Sequence, residues 1–304
     1  MLPNLNVEPI HLFGLELHLF GFLVGLAIIV GTILAGRRAK QLGLSERVVA
    51  DVAIWAVVVG FIGAHLYSAI FYFPEKIAAD PLYLLKMWDG ISSFGGFIGG
   101  TLGVVIYFRR HKDLPFLPYA DAIIYGFAFA WIFGRMGCTT AFDHPGVLTD
   151  FVLGMDYQGL WDSDLKDWAI TPGVRHNLGM YEFFWAIAMS LFFFLNRNKT
   201  RFKGWYLGMF VVCYMPVRFM MDFLRKADIH HFGLTAGQWA AIVLFVLGVV
   251  LVVRAAKRGD MLVPDGVPKF RPAKEMKAIA REEVAAGGQP VRAGSGGKRK
   301  KKKR

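Results

Sequence analysis

The sequence is poor in charged residues, which make up 19% of its 304 positions, whereas 55% of the positions are hydrophobic. A soluble globular protein covers its surface with polar side chains, and this chain has too few of them for so large an apolar content. The mean hydropathy of +0.42 likewise shows that the chain is apolar overall. The composition therefore excludes an ordinary soluble domain and indicates a membrane protein.

Cysteine is also scarce, because the chain has only Cys138 and Cys213. Two cysteines cannot form the framework of a disulfide-stapled protein, and neither stands at the spacing of a metal site. We therefore expect no disulfide, no metal and no cofactor. Residues 1–10 lack the basic stretch of a secretory leader, so we also expect no cleavable signal peptide.

The positive charge lies almost entirely at the C-terminus. Residues 254–304 contain sixteen Lys or Arg and five Asp or Glu, which accounts for +11 of the formal charge of +12. The terminal stretch GGKRKKKKR has no large apolar residue, which predicts a disordered tail over residues 257–304. Such a tail could bind nucleic acid. After a membrane domain we favour a cytoplasmic tail attracted to anionic lipid headgroups, with no nucleic acid bound.

The apolar residues fall into about seven runs of the length that crosses a membrane, which is about 20 residues. These runs lie near residues 14–36, 50–73, 91–108, 118–137, 180–196, 204–224 and 235–254. We therefore predict an all-α, polytopic membrane domain over residues 1–256.

Clusters of Lys and Arg predict which loops face the cytoplasm. The stretches GRRAK, RRHK, NRNKTRFK and RAAKR follow the first, third, fifth and seventh runs, and all fall on one side. This predicts an external N-terminus and a cytoplasmic C-terminus. The acidic and aromatic segment 139–179 is too long for a turn, so we expect it to form a small extracytoplasmic cap.

Charged side chains stand at three places along these apolar runs, where they are unfavourable unless they are paired or functional. They are Arg135 and Asp143 at the end of the fourth run, Glu182 at the start of the fifth, and Arg218 with Asp222 in the sixth. Tyr214, Arg218 and Asp222 are spaced by four and share one helical face.

All three places fall toward the predicted outer leaflet. Two arginines that converge there suggest an anionic ligand such as a phospholipid phosphate, which guanidinium groups bind with bidentate geometry. In the alternative interpretation, Arg218 and Asp222 simply neutralise each other. The glycine-rich third run, GISSFGGFIGGTLG, also has two interpretations: close helix packing, or space for an acyl chain or headgroup.

Five stretches occur in an order and spacing that is more specific than any one of them. They are DPLYLLKMWDGISSFGGFIGG at 80–100, GRMGCTTAFDHPG at 134–146, RHNLGMYE at 175–182, YMPVRFMMDFLR at 214–225 and TAGQ at 235–238. In these stretches the chain resembles the bacterial prolipoprotein diacylglyceryl transferase family. The resemblance covers roughly residues 10–256 and does not include the basic tail.

The resemblance implies a seven-span enzyme of the bacterial inner membrane. Such an enzyme transfers the diacylglyceryl group of phosphatidylglycerol to the cysteine of a prolipoprotein signal peptide. The product is a thioether, and glycerol phosphate is released. The implied partners are therefore phosphatidylglycerol and prolipoprotein signal peptides.

The resemblance also implies roles for individual residues. The positions that match the family's motifs are Arg135, Gly146, Glu182, Tyr214 and Arg218, and Asp143 stands where the family has a glutamate. Arg135 and Arg218 are thus expected to hold and stabilise the lipid phosphate, and Asp143 to orient Arg135 or the incoming peptide. We place Asp222 beside them in the substrate site because of its spacing from Arg218.

Four positions depart from the family's pattern. Phe94 replaces a histidine, Cys138 an asparagine, Phe20 a tyrosine and His65 an arginine. We expect Phe94 and Phe20 to remain part of the substrate site. Cys138 is interpreted as a packed thiol, because the accepting thiol of this chemistry belongs to the substrate.

The replacement of the third-span histidine bears on catalysis. A general base contributes about 10² to 10⁴-fold to a rate, and Phe94 cannot act as one. His65 is the first candidate to replace it, because an imidazole titrates near neutral pH, and His144 and His176 are the others. The loss of polar groups at positions 20, 94 and 138 also fits an inactive, phospholipid-binding paralogue. A transporter is a third alternative, although the chain shows no inverted repeat.

Overall fold

The structure is a computed structural model that describes residues 2, 3, 5, 10–12, 15–87, 89–142, 144–162, 167–225 and 230–263. These residues are mostly helical, as predicted. The helices are α1 (Leu19–Gln41), α2 (Glu46–Phe71), α3 (Pro74–Ala79), α4 (Ser93–Arg110), α5 (Phe116–Ala141), α6 (Leu178–Asn196), α7 (Trp205–Asp222) and α8 (Ala236–Arg258). A 3₁₀ turn, Pro81–Leu85, follows α3. The disordered tail predicted for residues 257–304 begins too early, because α8 continues to Arg258 and Met261–Leu262 form a strand that pairs with Arg201–Phe202. From position 264 onward the tail lies outside the described residues.

Five of the described helices are long and apolar enough to cross a membrane, namely α1, α2, α5, α6 and α8. The chain is therefore a multi-pass membrane protein. Helices α4 and α7 have 18 residues each and are less apolar, because α4 is rich in glycine and α7 contains Arg218 and Asp222. The total of seven spans stays a prediction.

Several predicted boundaries differ from the structure. The first apolar run covers 14–36, but α1 begins at Leu19 and two short strands precede it. Glu16 and His18 interrupt the apolar run there. The fourth run was ended at position 137, but α5 continues to Ala141. Its last turn contains Thr139 and Thr140, whose hydroxyls donate to the carbonyls of Arg135 and Gly137 at 2.7 and 3.0 Å.

Short strands accompany the helices, and five of them lie between α5 and α6. They are β1 (Ile10–Leu12), β2 (Leu15–Leu17), β3 (Pro145–Leu148), β4 (Met155–Tyr157), β5 (Leu160–Asp162), β6 (Asp167–Ile170), β7 (Gly173–Asn177), β8 (Arg201–Phe202), β9 (His230–His231), β10 (Leu234–Thr235) and β11 (Met261–Leu262). These strands are not predicted from the sequence, because each is too short for a clear alternation of apolar and polar residues.

The residues between α5 and α6 form the cap. Its central strand β7 pairs antiparallel with β3 on one side and β4 on the other, and β5 pairs with β6. Phe142, Met155 and Met180 form its buried core. Strand β3 also contacts the end of α7, because the amide of Val147 donates to the carbonyl of Leu224 at 2.8 Å. The cap is thus fastened to three helices.

Glycines allow two helix pairs to pack closely. A Cβ atom at Gly99 of α4 would lie 2.4 Å from the carbonyl oxygen of Val59 in α2, and one at Gly63 would lie 2.7 Å from that of Gly95. In the second pair, a Cβ at Gly126 of α5 would lie 2.3 Å from the carbonyl oxygen of Gly31 in α1. The packing interpretation of the glycine-rich third run is therefore confirmed, because its glycines face α2.

A buried carboxylate fixes the start of α7 at the end of the bundle remote from the cap. Asp121 of α5 accepts hydrogen bonds from the backbone amides of Gly204 at 2.6 Å and Leu207 at 3.1 Å. A negative charge at the N-terminus of a helix is favourable, since the first amides of the helix have no partner within it. Helix α7 is thereby held against α5, which sets the height of the side chains further along it.

We expect Gly99→Ala to destabilise the protein, because the added methyl group cannot fit against the backbone of α2. Overpacking of this kind destabilises by about 1–3 kcal/mol. Gly25→Ala is the matched control, since nothing lies within 4 Å of a Cβ atom there. Thermal unfolding in one detergent would compare the two. Equal melting temperatures for both variants would contradict the packing argument.

Candidate functional site

Three helices bring four polar side chains together near the cap. Glu182 of α6 lies at the centre, where its Oε2 is 2.6 Å from Nη2 of Arg135 and accepts the hydroxyl hydrogen of Tyr214, also at 2.6 Å. Its Oε1 is 3.8 Å from Nη1 of Arg218. Nη2 of Arg135 also donates to the Tyr214 hydroxyl at 3.2 Å. Both arginines therefore meet at one carboxylate.

Each of these side chains is placed by a local feature of its helix. Arg135 lies six residues before the end of α5, and Glu182 is the fifth residue of α6. The side chain of Asn177 caps α6 by accepting from the amide of Met180 at 3.1 Å. Tyr214 and Arg218 lie one turn apart on α7.

The cluster is buried and its formal charges balance. The side chain of Glu182 is 2% exposed, that of Arg135 11% and that of Arg218 22%. Asp222, which is 1% exposed, pairs with Nη2 of Arg218 at 3.0 Å. Arg218 and Asp222 therefore do form an ion pair, as the alternative interpretation expects. Arg218 also contacts Glu182, so this pair is only part of the cluster. Two cations and two anions share this site.

The TAGQ stretch holds Asp222 in place from α8. The hydroxyl of Thr235 donates to Asp222, and a Cβ atom at Gly237 would lie only 2.6 Å from Oδ2 of that carboxylate. Thr235 also caps α8, because its Oγ1 accepts from the amide of Gln238 at 3.0 Å, and the Gln238 side chain bonds back to the amide of Thr235. This capping box explains the spacing of the stretch.

Two further side chains of α5 contact Arg135. The guanidinium carbon lies 4.3 Å from the ring centre of Trp131, one turn earlier, in a cation–π contact. Nη1 of Arg135 lies 3.8 Å from Sγ of Cys138. Cys138 is buried, which agrees with its interpretation as a packed thiol. Trp131 was missed in the sequence, although its spacing of four from Arg135 placed both on one face.

Gly146 belongs to the junction of the cap and α7. The carbonyl oxygen of Gly146 accepts a hydrogen bond from Nη1 of Arg175 at 3.1 Å, and the backbone of Gly146 forms an isolated antiparallel β-bridge with that of Arg225. A Cβ atom at Gly146 would lie 2.7 Å from the carbonyl oxygen of Leu224 and 2.8 Å from Cβ of His176. Glycine is required here because three segments approach one another too closely for a side chain.

His176 lies beside this junction in β7. Its Nδ1 is 2.7 Å from the hydroxyl of Tyr181, the residue before Glu182. Burial lowers the pKa of His176 below its usual value near 6.5, so the ring is neutral at pH 7. When Nδ1 carries the proton and donates it to the Tyr181 oxygen, Nε2 keeps a lone pair that can accept a proton.

The structure does not favour His65 as the general base. The side chain is fully buried in α2, with Nδ1 3.2 Å from the carbonyl oxygen of Gly90 and Nε2 3.1 Å from that of Tyr83. Carbonyl oxygens only accept hydrogen bonds, so neither ring nitrogen points a lone pair toward a substrate. These contacts fasten the 3₁₀ turn and the loop after it to α2.

The remaining predicted residues contact other parts of the helices or lie outside the described part. Phe94, at the start of α4, is half-exposed, and its ring contacts Tyr67 edge-on at 5.3 Å. Phe20 of α1 packs over Gly137, where a Cβ atom would lie 3.0 Å from its ring. Asp143 lies outside the described residues. Among the residues that the structure does describe, no group of three or more potential metal ligands occurs.

The helices and this cluster define a multi-pass helical membrane protein with an ionised site enclosed between its helices. The sequence pattern of the family described as prolipoprotein diacylglyceryl transferase matches residues 9–254. The chain therefore belongs to the prolipoprotein diacylglyceryl transferase family.

Curated relatives agree over most of their length. Phosphatidylglycerol–prolipoprotein diacylglyceryl transferase 1 of Streptomyces coelicolor is 29% identical over 293 residues, which is 94% of this chain and 79% of the relative. The corresponding transferase of Chromohalobacter salexigens is 28% identical over 258 residues, or 83% of this chain and 92% of the relative. Phosphatidylglycerol–prolipoprotein diacylglyceryl transferase 2 of Clostridium perfringens is 28% identical over 241 residues, which is 79% of this chain and 91% of the relative.

We expect Glu182→Gln to destabilise the folded protein strongly, because two buried guanidinium groups would lose the anion that they share. Removing one partner of a buried ion pair destabilises by about 3–5 kcal/mol. Glu46→Gln is the control, since Glu46 pairs with Lys40 at the surface and such pairs contribute about 1 kcal/mol or less. Unfolding in one detergent measures both. A similar small loss in the two variants would show that Glu182 is not the centre of the cluster.

Proposed function

We propose that Arg135, Glu182, Tyr214 and Arg218 form the site that holds the phosphate of phosphatidylglycerol while its diacylglyceryl group is transferred to a prolipoprotein. The overall reaction follows from the family to which the chain belongs. The observation that supports this site is the convergence of both guanidinium groups on the buried carboxylate of Glu182.

In the reaction, the thiol sulfur of the prolipoprotein forms a bond to the glycerol carbon that carries the phosphate. The bond between that carbon and the phosphate oxygen breaks, and glycerol phosphate leaves with the electron pair. Arginines suit the stabilisation of such a leaving group, because their N–H groups face the oxygens where negative charge develops. A buried site strengthens this effect, since little water competes for the phosphate.

Glu182 prepares the arginines for the lipid. Without an anion, two guanidinium groups near one another would repel and turn apart. The shared carboxylate holds Arg135 and Arg218 on either side of it, and Tyr214 fixes the carboxylate with its hydroxyl. Each guanidinium has five N–H donors, so donors remain for the phosphate. Asp222 also holds the guanidinium of Arg218 in place, through its contact with Nη2.

We assign the removal of the thiol proton to His176. Its pKa is lowered by burial, its ring bonds to the residue before Glu182, and it lies against Gly146. Asp143 remains a proposal for orienting Arg135 or the peptide. Phe94 and Phe20 are proposed to line the path of the apolar substrates, since both are aromatic and lie on α4 and α1.

We further propose seven membrane spans, with α4 and α7 as the two less apolar ones, an external N-terminus and a cytoplasmic C-terminus. The basic loops support this orientation, which places the cap on the external face of a bacterial inner membrane. Residues 1–256 would form the transferase domain. The tail from 257 would bind anionic headgroups. An inactive paralogue is not favoured, because the matching relatives carry the names of transferases.

Arg135→Lys and Arg218→Lys test the phosphate site directly. Each variant keeps the positive charge and loses the planar guanidinium that binds phosphate through two N–H groups. We expect the rate of transfer to a lipobox peptide to fall by about 10² to 10³-fold. The assay follows incorporation of labelled phosphatidylglycerol in detergent. Arg110→Lys is the control, because Arg110 is exposed and lies over Trp55. Wild-type activity in both site variants would exclude the proposed site.

His65→Asn and His176→Asn separate the two histidine roles. We expect His65→Asn to lower the melting temperature, because it disturbs two buried contacts to backbone carbonyls, and to leave the pH dependence of kcat/KM unchanged. His176→Asn should reduce kcat by about 10² to 10⁴-fold, with the fold and lipid binding preserved. A changed pH profile in His65→Asn together with full activity in His176→Asn would reverse the assignment.

A further inference from the structure

An unpaired hydrogen-bond donor lies next to the arginine cluster. Trp131 is 9% exposed, and its ring lies against the guanidinium of Arg135. Its indole Nε1 is fully buried and has no hydrogen-bond partner among the described residues. The Nε atom of Arg135 is buried without a partner in the same way. Buried donors are nearly always paired, so two of them at one place indicate a site for acceptor oxygens.

The rings that contact Trp131 are aromatic, and none of the described residues accepts from its indole N–H. Phe127 lies one turn earlier on α5, at 5.0 Å between ring centres, and Phe97 of α4 lies at 5.3 Å. Tyr214 contacts the ring edge-on at 5.9 Å, and its hydroxyl donates to Glu182. An unpaired indole N–H among aromatic rings suits a neutral acceptor attached to acyl chains.

We propose that the indole Nε1 of Trp131 donates a hydrogen bond to an ester carbonyl oxygen of the diacylglyceryl group, and so makes Trp131 a lipid-binding residue. This assignment rests on the proposed binding of phosphatidylglycerol at Arg135 and Arg218. Trp131 then recognises the part of the lipid that is transferred, whereas the arginines recognise the part that leaves.

The position of Trp131 along α5 matches the covalent structure of the lipid. It lies four residues before Arg135, which is about 6 Å closer to the middle of the helix. In a diacyl phospholipid, the ester groups stand on the acyl side of the phosphate, separated from it by the glycerol carbons. A phosphate held at Arg135 therefore brings the ester carbonyls to the level of Trp131.

Entry of the lipid requires a side-chain movement that the structure permits. Phe97 covers Trp131 from α4 and is itself half-exposed. Helix α4 packs along α2 through its glycines, and α5 packs along α1 and α6, so Phe97 is not held in the close backbone packing of either pair. Rotation of Phe97 would open the indole to a lipid that enters between α4 and α5.

The experiment compares two phosphatidylglycerols that differ only in their acyl linkages. Dioctanoyl phosphatidylglycerol has two ester carbonyls, and the dioctyl diether analogue has none. The linkages are not broken in the reaction, so both lipids can be substrates. Trp131→Phe keeps an aromatic ring over Arg135 and removes the N–H. Trp205→Phe is the matched control, because Trp205 is also buried but lies at the opposite end of the bundle.

Binding of each lipid is measured by native mass spectrometry, and transfer to a lipobox peptide is measured in parallel. We expect the wild type and Trp205→Phe to bind the diester about two- to twelvefold more tightly than the diether, as one hydrogen bond allows. Trp131→Phe should lose this preference while its affinity for the diether stays unchanged.

Two results would overturn the inference, and they are distinguishable. An equal preference for the diester in the wild type and in Trp131→Phe, with transfer intact, would remove the role of Trp131 and leave the proposed function standing. Failure of the wild type to bind or transfer either lipid would overturn both. Thermal unfolding of Trp131→Phe verifies that the variant is folded before either conclusion is drawn.

Discussion

The carboxylate of Glu182 is the interaction on which the site depends. Two guanidinium groups in an environment of low dielectric would separate unless an anion lay between them, and Glu182 is that anion, 2.6 Å from Arg135 and 3.8 Å from Arg218. The same contact joins α5, α6 and α7 near the cap. Stability therefore rests on this one side chain, and so does the lipid recognition that we propose.

The rest of the bundle keeps this contact in register. Glycines let α2 approach α4 and α1 approach α5 at distances that no side chain would permit, as at Gly99 and Gly126. Asp121 fixes the start of α7, and the cap fastens its end through Gly146. The contacts at the two ends of α7 set the height of Arg218 relative to Arg135, which decides whether both can reach Glu182.

The fold was largely predictable, and the site only in part. The apolar runs predicted the long helices, and the spacing of four predicted the pair of Arg218 and Asp222. The strands of the cap were missed, because segments of two to five residues carry little periodic signal. His65 was chosen as a base from its residue type, yet two backbone carbonyls from a later loop engage its ring. Such partners, distant in sequence, leave no local pattern.

The sequence by itself determined that the chain is a helical membrane protein with charged residues at three places in its apolar runs, because hydropathy and spacing are local properties. It also determined the family, because the five motif stretches occur in the order and spacing of that family. Only the tertiary structure decided that one carboxylate joins both arginines, that His65 is enclosed, and that the indole of Trp131 lies beside Arg135 with no acceptor among the described residues. Those features depend on which helices are neighbours and on how far each is shifted along the other. Both are determined by tertiary packing.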